Sequence, residues 1–242
     1  MYGAQVLLIL ILISSLPVIA VYIWFRKTRF DFSLVRFLFA LLAGAAAFFP
    51  ALILQDILLA VNITQSRAAL LFEFFIRIAF TEELSRLFTL FIFFFISSLI
   101  LKETAASSGE SSSQLLTFNT VRKGTAAGLI AGLGFSILEN ASYAASGLSI
   151  GVILLRIFTA ALHGACGSRI GAAAVLFRTN PFQAFLRIII AAAIHGVYNF
   201  LLTIPGFLPS IAAYIIAVSA FITAILTIRV NMDAETPPET HA

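Results

Sequence analysis

Charge is scarce in this 242-residue chain, at 11% of residues against 61% hydrophobic. Soluble domains carry about 25% charged residues, so that class is excluded, and no stretch is left over for a separate soluble domain. Cysteine occurs once, as Cys166, which excludes an internal disulfide framework and a Cys-rich metal site. Alternating polar and apolar segments are nearly absent, which argues against a β-barrel. Met1 to Gln5 hold no basic cluster. The apolar stretch up to Phe25 therefore reads as a retained first span and not a cleaved signal peptide. No long-period repeat is evident. The net charge of +4 comes from Lys and Arg in loops, a topology signal, so no nucleic-acid partner is expected.

What the chain has is long apolar runs and a mean hydropathy of +1.05. Several runs reach the roughly 20 residues that span a hydrocarbon core. The expected fold is all-α, a polytopic transmembrane helical bundle of about 7–8 spans in a lipid bilayer. The spans fall near 4–25, 34–60, 68–101, 121–145, 148–177, 182–203 and 208–230. The third is too long for one simple crossing, at roughly 50 Å for a 1.5 Å rise. It is either a tilted helix or an interfacial helix over 68–80 that turns into a span near Thr81. Glu73 and Arg77, four residues apart, favour the second form. The Phe-rich run Phe91 to Ile96 suits a lipid-facing wall. Residues 1–230 form a single membrane domain, with a polar cytoplasmic loop at 102–120 and a disordered tail at 231–242. Arg26, Lys27, Arg29, Arg36, Lys102, Arg122, Lys123, Arg178, Arg187 and Arg229 flank alternate loops, and the loops between them carry almost none, Arg67 being the exception. The positive-inside rule then puts the N-terminus out and the C-terminus in, in a plasma (inner) membrane.

Against this background a few ionisable residues stand out: Glu82, Glu83, Glu139, His163 and His195. A charge near a bilayer centre costs about 2.5–3.5 kcal/mol on insertion scales, so each needs a partner and a use. Arg86 follows Glu82 by four residues and Glu83 by three, so on a helix it reaches either carboxylate. Adjacent glutamates point about 100° apart, so one can pair with Arg86 while the other faces a cavity. Thr81 is placed to cap a helix starting here. Gly124, Gly128 and Gly132 recur every fourth residue and let another helix approach, and their face continues to Glu139 and Tyr143. Arg156 and His163, seven apart, share a face. Asn199 lies one turn after His195 and can support an oxyanion. Counted from the cytoplasmic ends, Glu82, Glu139, His163 and His195 sit at roughly 28, 27, 21 and 20 Å, in the middle to outer part of one bilayer. Cys166, one turn from His163, reads as a small packing residue.

Glu82-Glu83-x2-Arg86, Gly134-Phe135-x3-Glu139-Asn140-x2-Tyr143, Arg156-x6-His163 and His195-x3-Asn199 together resemble the PrsW family of intramembrane proteases. The likeness covers roughly residues 80–200. The family is related to the CAAX-processing and bacteriocin-immunity proteases, whose first motif has three intervening residues. Arg86 stands where PrsW members commonly carry lysine, and the charge is kept. The resemblance implies cleavage of membrane-anchored proteins such as single-span regulators. It makes the glutamate pair catalytic, with Glu139, His163 and His195 completing the site, and Arg86, Asn140, Arg156 and Asn199 in support.

Two mechanisms stay open. In the first, the preferred one, Glu82 or Glu83 acts as general base on water, with His195 and Asn199 on the oxyanion. In the second, Glu139, His163 and His195 bind a metal, zinc being the candidate cofactor, with a glutamate of the pair as base. Two other classes compete: a proton- or ion-coupled transporter, and a non-catalytic scaffold retaining the motifs. A transporter should show corresponding broken helices in two halves, and no such pair is seen.

Overall fold

A computed structural model describes residues 2–59, 67–108, 120–146 and 149–233. Among these described residues, seven long helices carry the fold: α1 (Tyr2–Lys27), α2 (Leu34–Leu59), α4 (Thr81–Ser108), α5 (Val121–Ser142), α6 (Ile150–Leu176), α7 (Pro181–Thr203) and α8 (Phe207–Asp233). A short helix α3 (Arg67–Leu71) and a π-helical stretch (Phe72–Phe80) precede α4, and a 3₁₀ turn (Tyr143–Ala145) follows α5. Among the described residues there is no strand.

Five helices, α1, α2, α6, α7 and α8, are long and apolar enough to cross a membrane. The chain is an integral membrane protein. The other two long helices differ for identifiable reasons. α4 opens on Glu82, Glu83 and Arg86, and α5 is rich in glycine and alanine. Every residue of α5 from Gly124 to Ser136 is buried. A helix enclosed by protein gains nothing from large lipid-facing side chains and gains close packing from small ones. Outward residues elsewhere are large and apolar, including Leu42, Ile53, Phe95 and Val230. In the Phe-rich run, Phe91, Phe95 and Ile96 are exposed while Phe93 is buried.

The third expected span does not turn at Thr81. Leu71 and Thr81, which bound the π-helical stretch, both have right-handed helical backbone, with φ −65° and ψ −38° at Thr81. Thr81 is therefore interior to a continuous helix and caps nothing. Its hydroxyl donates to the carbonyls of Arg77 (2.5 Å) and Ile78 (3.0 Å). Glu73 and Arg77 do pair, as an intrahelical ion pair, and Arg77 Nε also donates to the Gln55 carbonyl of α2 at 3.1 Å. α4 continues to Ser108, into the stretch expected as a polar loop, whose residues 109–119 lie outside the described residues. α8 runs to Asp233, and the rest of the expected tail, 234–242, also lies outside them.

α5 and α6 run antiparallel in close contact. A Cβ built on Gly128 would lie 2.1 Å from the Gly167 carbonyl oxygen, and one on Gly171 would lie 2.0 Å from that of Gly124. One on Gly132 would lie 1.9 Å from the carbonyl oxygen of His163. Only glycine permits these approaches, and the last of them sets the position of a site residue. On the opposite side of α5, Gly134 meets the Leu41 carbonyl of α2 in the same way. At the end of the bundle where α1 meets α2, Lys123 reaches Asp31 at 2.8 Å and Arg122 lies over the Phe30 ring at 4.9 Å.

Candidate active site

The ionisable residues converge between α4, α5, α6 and α7. The first turn of α4 brings Glu82, Glu83 and Arg86, while α5, α6 and α7 bring Glu139, His163 and His195. Five of the six are deep, with Glu83 and Arg86 0% exposed, His163 1%, His195 2% and Glu82 5%, while Glu139 is partly exposed, its side chain at 15%.

The two glutamates have separate surroundings. Glu83 Oε1 accepts from Arg86 in a short ion pair and from His195 Nδ1 at 3.0 Å. Glu82 turns the other way into a cavity of about 280 Å³, which it lines with Gln55, Glu139, Tyr143, Arg156 and Asn199 among others. Its Oε1 accepts from Gln55 Nε2 at 3.1 Å, while its Oε2 is buried with no hydrogen-bond partner. That free oxygen lies 3.7 Å from His195 Nε2, 4.0 Å from His163 Nδ1 and 3.9 Å from the Arg86 guanidinium.

Each imidazole is oriented by a carboxylate. A carboxylate can only accept, so His195 carries its proton on Nδ1 and its Nε2 presents a lone pair. His163 Nε2 donates to Glu139 Oε2 at 2.7 Å, and Arg86 donates to His163 Nδ1 at 2.7 Å. Glu139 is held in turn by Arg156 at 3.3 Å. Arg156 Nε donates to Asn140 Oδ1 at 2.6 Å, and Asn140 Nδ2 donates to Ser14 Oγ of α1 at 2.7 Å. The Arg156 guanidinium sits 4.1 Å over the Tyr143 ring. Asn140 and Arg156 thus act behind Glu139. Asn199 lines the cavity one turn beyond His195.

Glu82 Oε2, His163 Nδ1 and His195 Nε2 are three electron-pair donors turned toward one another, and an atom from each residue lies within 4.8 Å of the others. Two histidines and a carboxylate with an open side is the donor set of a catalytic zinc site, and an unpartnered buried carboxylate oxygen favours a cation. The residues therefore fit such an ion. In the metal-binding alternative read from the sequence the carboxylate was Glu139; the donor atoms grouped here include Glu82 in its place. Glu139 takes the position behind His163 that commonly orients a metal-binding imidazole, as Glu83 does behind His195. Cys166 is buried, its Sγ 3.5 Å from the Ala191 carbonyl.

Sequence reading missed Gln55, Ser14 and Thr159, the last bonded to the Tyr198 hydroxyl at 2.9 Å. Gln55 and Asp56 interrupt the apolar run of α2 that follows Arg36, which is the signal that could have found Gln55. Ser14 and Thr159 are small hydroxyls common in helices and carry no such signal.

A bundle of apolar helices enclosing carboxylates, imidazoles and a cavity is an arrangement suited to a membrane-embedded hydrolase. The chain belongs to a named family of that class: residues 33–226 match the PrsW family intramembrane metalloprotease, so it is an intramembrane protease. No curated protein and no solved structure matches the chain.

Proposed function

We propose that the chain cleaves membrane-anchored protein substrates within the bilayer, at the cavity lined by Glu82, with Glu82, His163 and His195 as the ligands of a zinc ion. The observation that carries this reading is the unpartnered Glu82 Oε2 facing two carboxylate-oriented imidazoles. Zinc bound there would lower the pKa of a bound water to about 7 and polarise the scissile carbonyl.

The chain's own residues divide the work. Glu83 fixes the tautomer and orientation of His195, and Glu139 fixes those of His163. Arg86 neutralises Glu83 inside the protein. It also donates to His163 Nδ1, so a cation can bind only when Arg86 gives up that contact and stays on Glu83. Gln55 holds the other oxygen of Glu82 from the α2 side. Asn199, on the cavity wall, donates to the oxyanion that forms at the scissile carbonyl. The apolar wall, including Phe48, Leu52 and Phe74, suits an unwound stretch of a transmembrane segment and limits water around the reacting bond.

One observation favours a second reading. The Arg86 contact occupies His163 Nδ1, and without a metal the free Glu82 oxygen is then the general base on the attacking water. Orientation follows from charge. Arg26, Lys27, Arg29, Arg122, Lys123 and Arg178 gather at the end of the bundle opposite the cavity, which points to N-terminus out, C-terminus in, and a plasma (inner) membrane location.

The test is cleavage of a tagged single-span substrate by the purified chain, with single replacements of Glu82, His163 and His195 by Gln or Ala. Loss of cleavage with retained folding is expected in each. Undiminished cleavage in Glu82→Gln would reject both readings of this carboxylate.

A further inference from the structure

A second cavity lies at the other end of the bundle and shares no residue with the first. It has a volume of about 400 Å³ and is lined by Arg169 of α6 and Gln183, Leu186, Arg187 and Ile190 of α7. Arg169 comes seven residues before the end of α6 and Arg187 six after the start of α7, which places both roughly 10 Å in from the helix ends. Neither arginine has an ion pair with a described carboxylate. Four described acids pair elsewhere, Asp31 with Lys123, Glu73 with Arg77, Glu83 with Arg86 and Glu139 with Arg156, while Glu82 lines the first cavity and neither it nor Asp56 of α2 is paired with these two arginines. The Arg169 guanidinium donates to its own helix, at the Ala165 carbonyl 2.8 Å away. That single bond leaves most of its donors unused.

Two uncompensated guanidinium groups in one cavity repel each other, and the membrane surroundings screen that repulsion poorly. They are tolerable where an anion completes the site. The other lining residues identify which kind. Leu186 and Ile190 are exposed at 45% and 40% on the outer surface of α7, so the cavity opens to the acyl chains beside it. Arginine is the residue suited to two-point phosphate contact, and basic pockets between transmembrane helices take anionic lipid headgroups.

We infer that Arg169, Arg187 and Gln183 form a binding site for the phosphate of an anionic phospholipid, with Leu186 and Ile190 against its acyl chain. The lipid would clamp α6 to α7, the two helices that carry His163 and His195, at the end remote from the cavity where they act.

The test uses the full chain in detergent, titrated with phosphatidylglycerol, with phosphatidylcholine or with inorganic phosphate, and reads bound lipid by native mass spectrometry and thermal stability. Saturable phosphatidylglycerol binding and a raised Tm are expected, with no such effect from phosphatidylcholine. Arg169→Gln/Arg187→Gln should weaken phosphatidylglycerol roughly 30-fold, at about 1 kcal/mol per arginine and 1.4 kcal/mol per tenfold. Arg169→Lys/Arg187→Lys should keep more of the binding, and Arg178→Gln, an exposed cation at the same end, should keep all of it. Equal binding by the double Gln variant, or an equal loss from Arg178→Gln, would overturn the site. Inorganic phosphate that binds as tightly as the lipid would overturn the lipid assignment.

Discussion

Replacing Gly132 by alanine adds one methyl group at the point where α5 sets the position of His163. The new Cβ would lie 1.9 Å from the His163 carbonyl oxygen and 2.5 Å from its carbonyl carbon, both backbone atoms. To reach an ordinary contact of 3.4 Å, the helices must part by about 1.5 Å at that turn. Alanine in a helix interior is otherwise favoured over glycine by about 1 kcal/mol, so without the clash the variant would be more stable. Overpacking costs about 1–3 kcal/mol and should win, lowering Tm. The effect on chemistry should be larger, since a misplacement of about 1 Å can cost 10²-fold in rate. The assay pairs thermal unfolding with cleavage of a tagged single-span substrate by folded protein. Gly151→Ala is the control: its Cβ meets nothing within 4 Å, so activity should be unchanged. At Gly164 a Cβ would meet the Leu133 and Phe221 side chains at 3.0 and 3.1 Å; these can shift, so an intermediate effect is expected. A Gly132→Ala protein as stable and as active as Gly151→Ala would refute the claim that this contact positions the site.

Arg86→Ala should destabilise the fold by about 3–5 kcal/mol, because it leaves Glu83 charged and unpaired at zero exposure; a Tm within a degree of wild type would contradict that. Glu83→Gln, which acts through His195, should lower zinc affinity or activity about 10–100-fold, less than Glu82→Gln, and assay of the two side by side checks the order. Asn140→Ala removes the link from Arg156 to Ser14 and should reduce cleavage through Glu139 without abolishing it. Cys166→Ala should cleave normally, since the thiol is buried and away from the cavity lining; loss of cleavage by folded protein would give it a role denied here.

Much of the site was legible because its residues are expensive where they lie. A carboxylate or imidazole in an apolar helix announces itself, and i, i+3 and i, i+4 spacing gave Arg86 two possible partners. Spacing could not choose between them. Rotation of α4 against its neighbours decides that Glu83 meets Arg86 and His195 while Glu82 faces the cavity. The same limit explains why the metal-binding alternative took Glu139 as its carboxylate: the partners of His163 come from three helices whose mutual rotation is a packing outcome. The π-helical stretch over Phe72–Phe80 leaves no clear mark in apolar periodicity, so the sequence left a tilted helix and a turn near Thr81 both open and favoured the turn, whereas a continuous helix is found. α5 gave a weaker membrane signal because its surroundings are protein and not lipid.

Metal analysis of the purified chain, with cleavage measured on the same samples, bears most directly on the central claim. Wild type should carry one zinc per chain, and Glu82→Gln, His163→Ala and His195→Ala should each lose it. Glu139→Gln should retain zinc with weaker affinity. Cleavage should stop with a strong chelator and return with Zn²⁺. Full activity in metal-free wild-type protein would contradict the zinc assignment and leave Glu82 as the base acting directly on water.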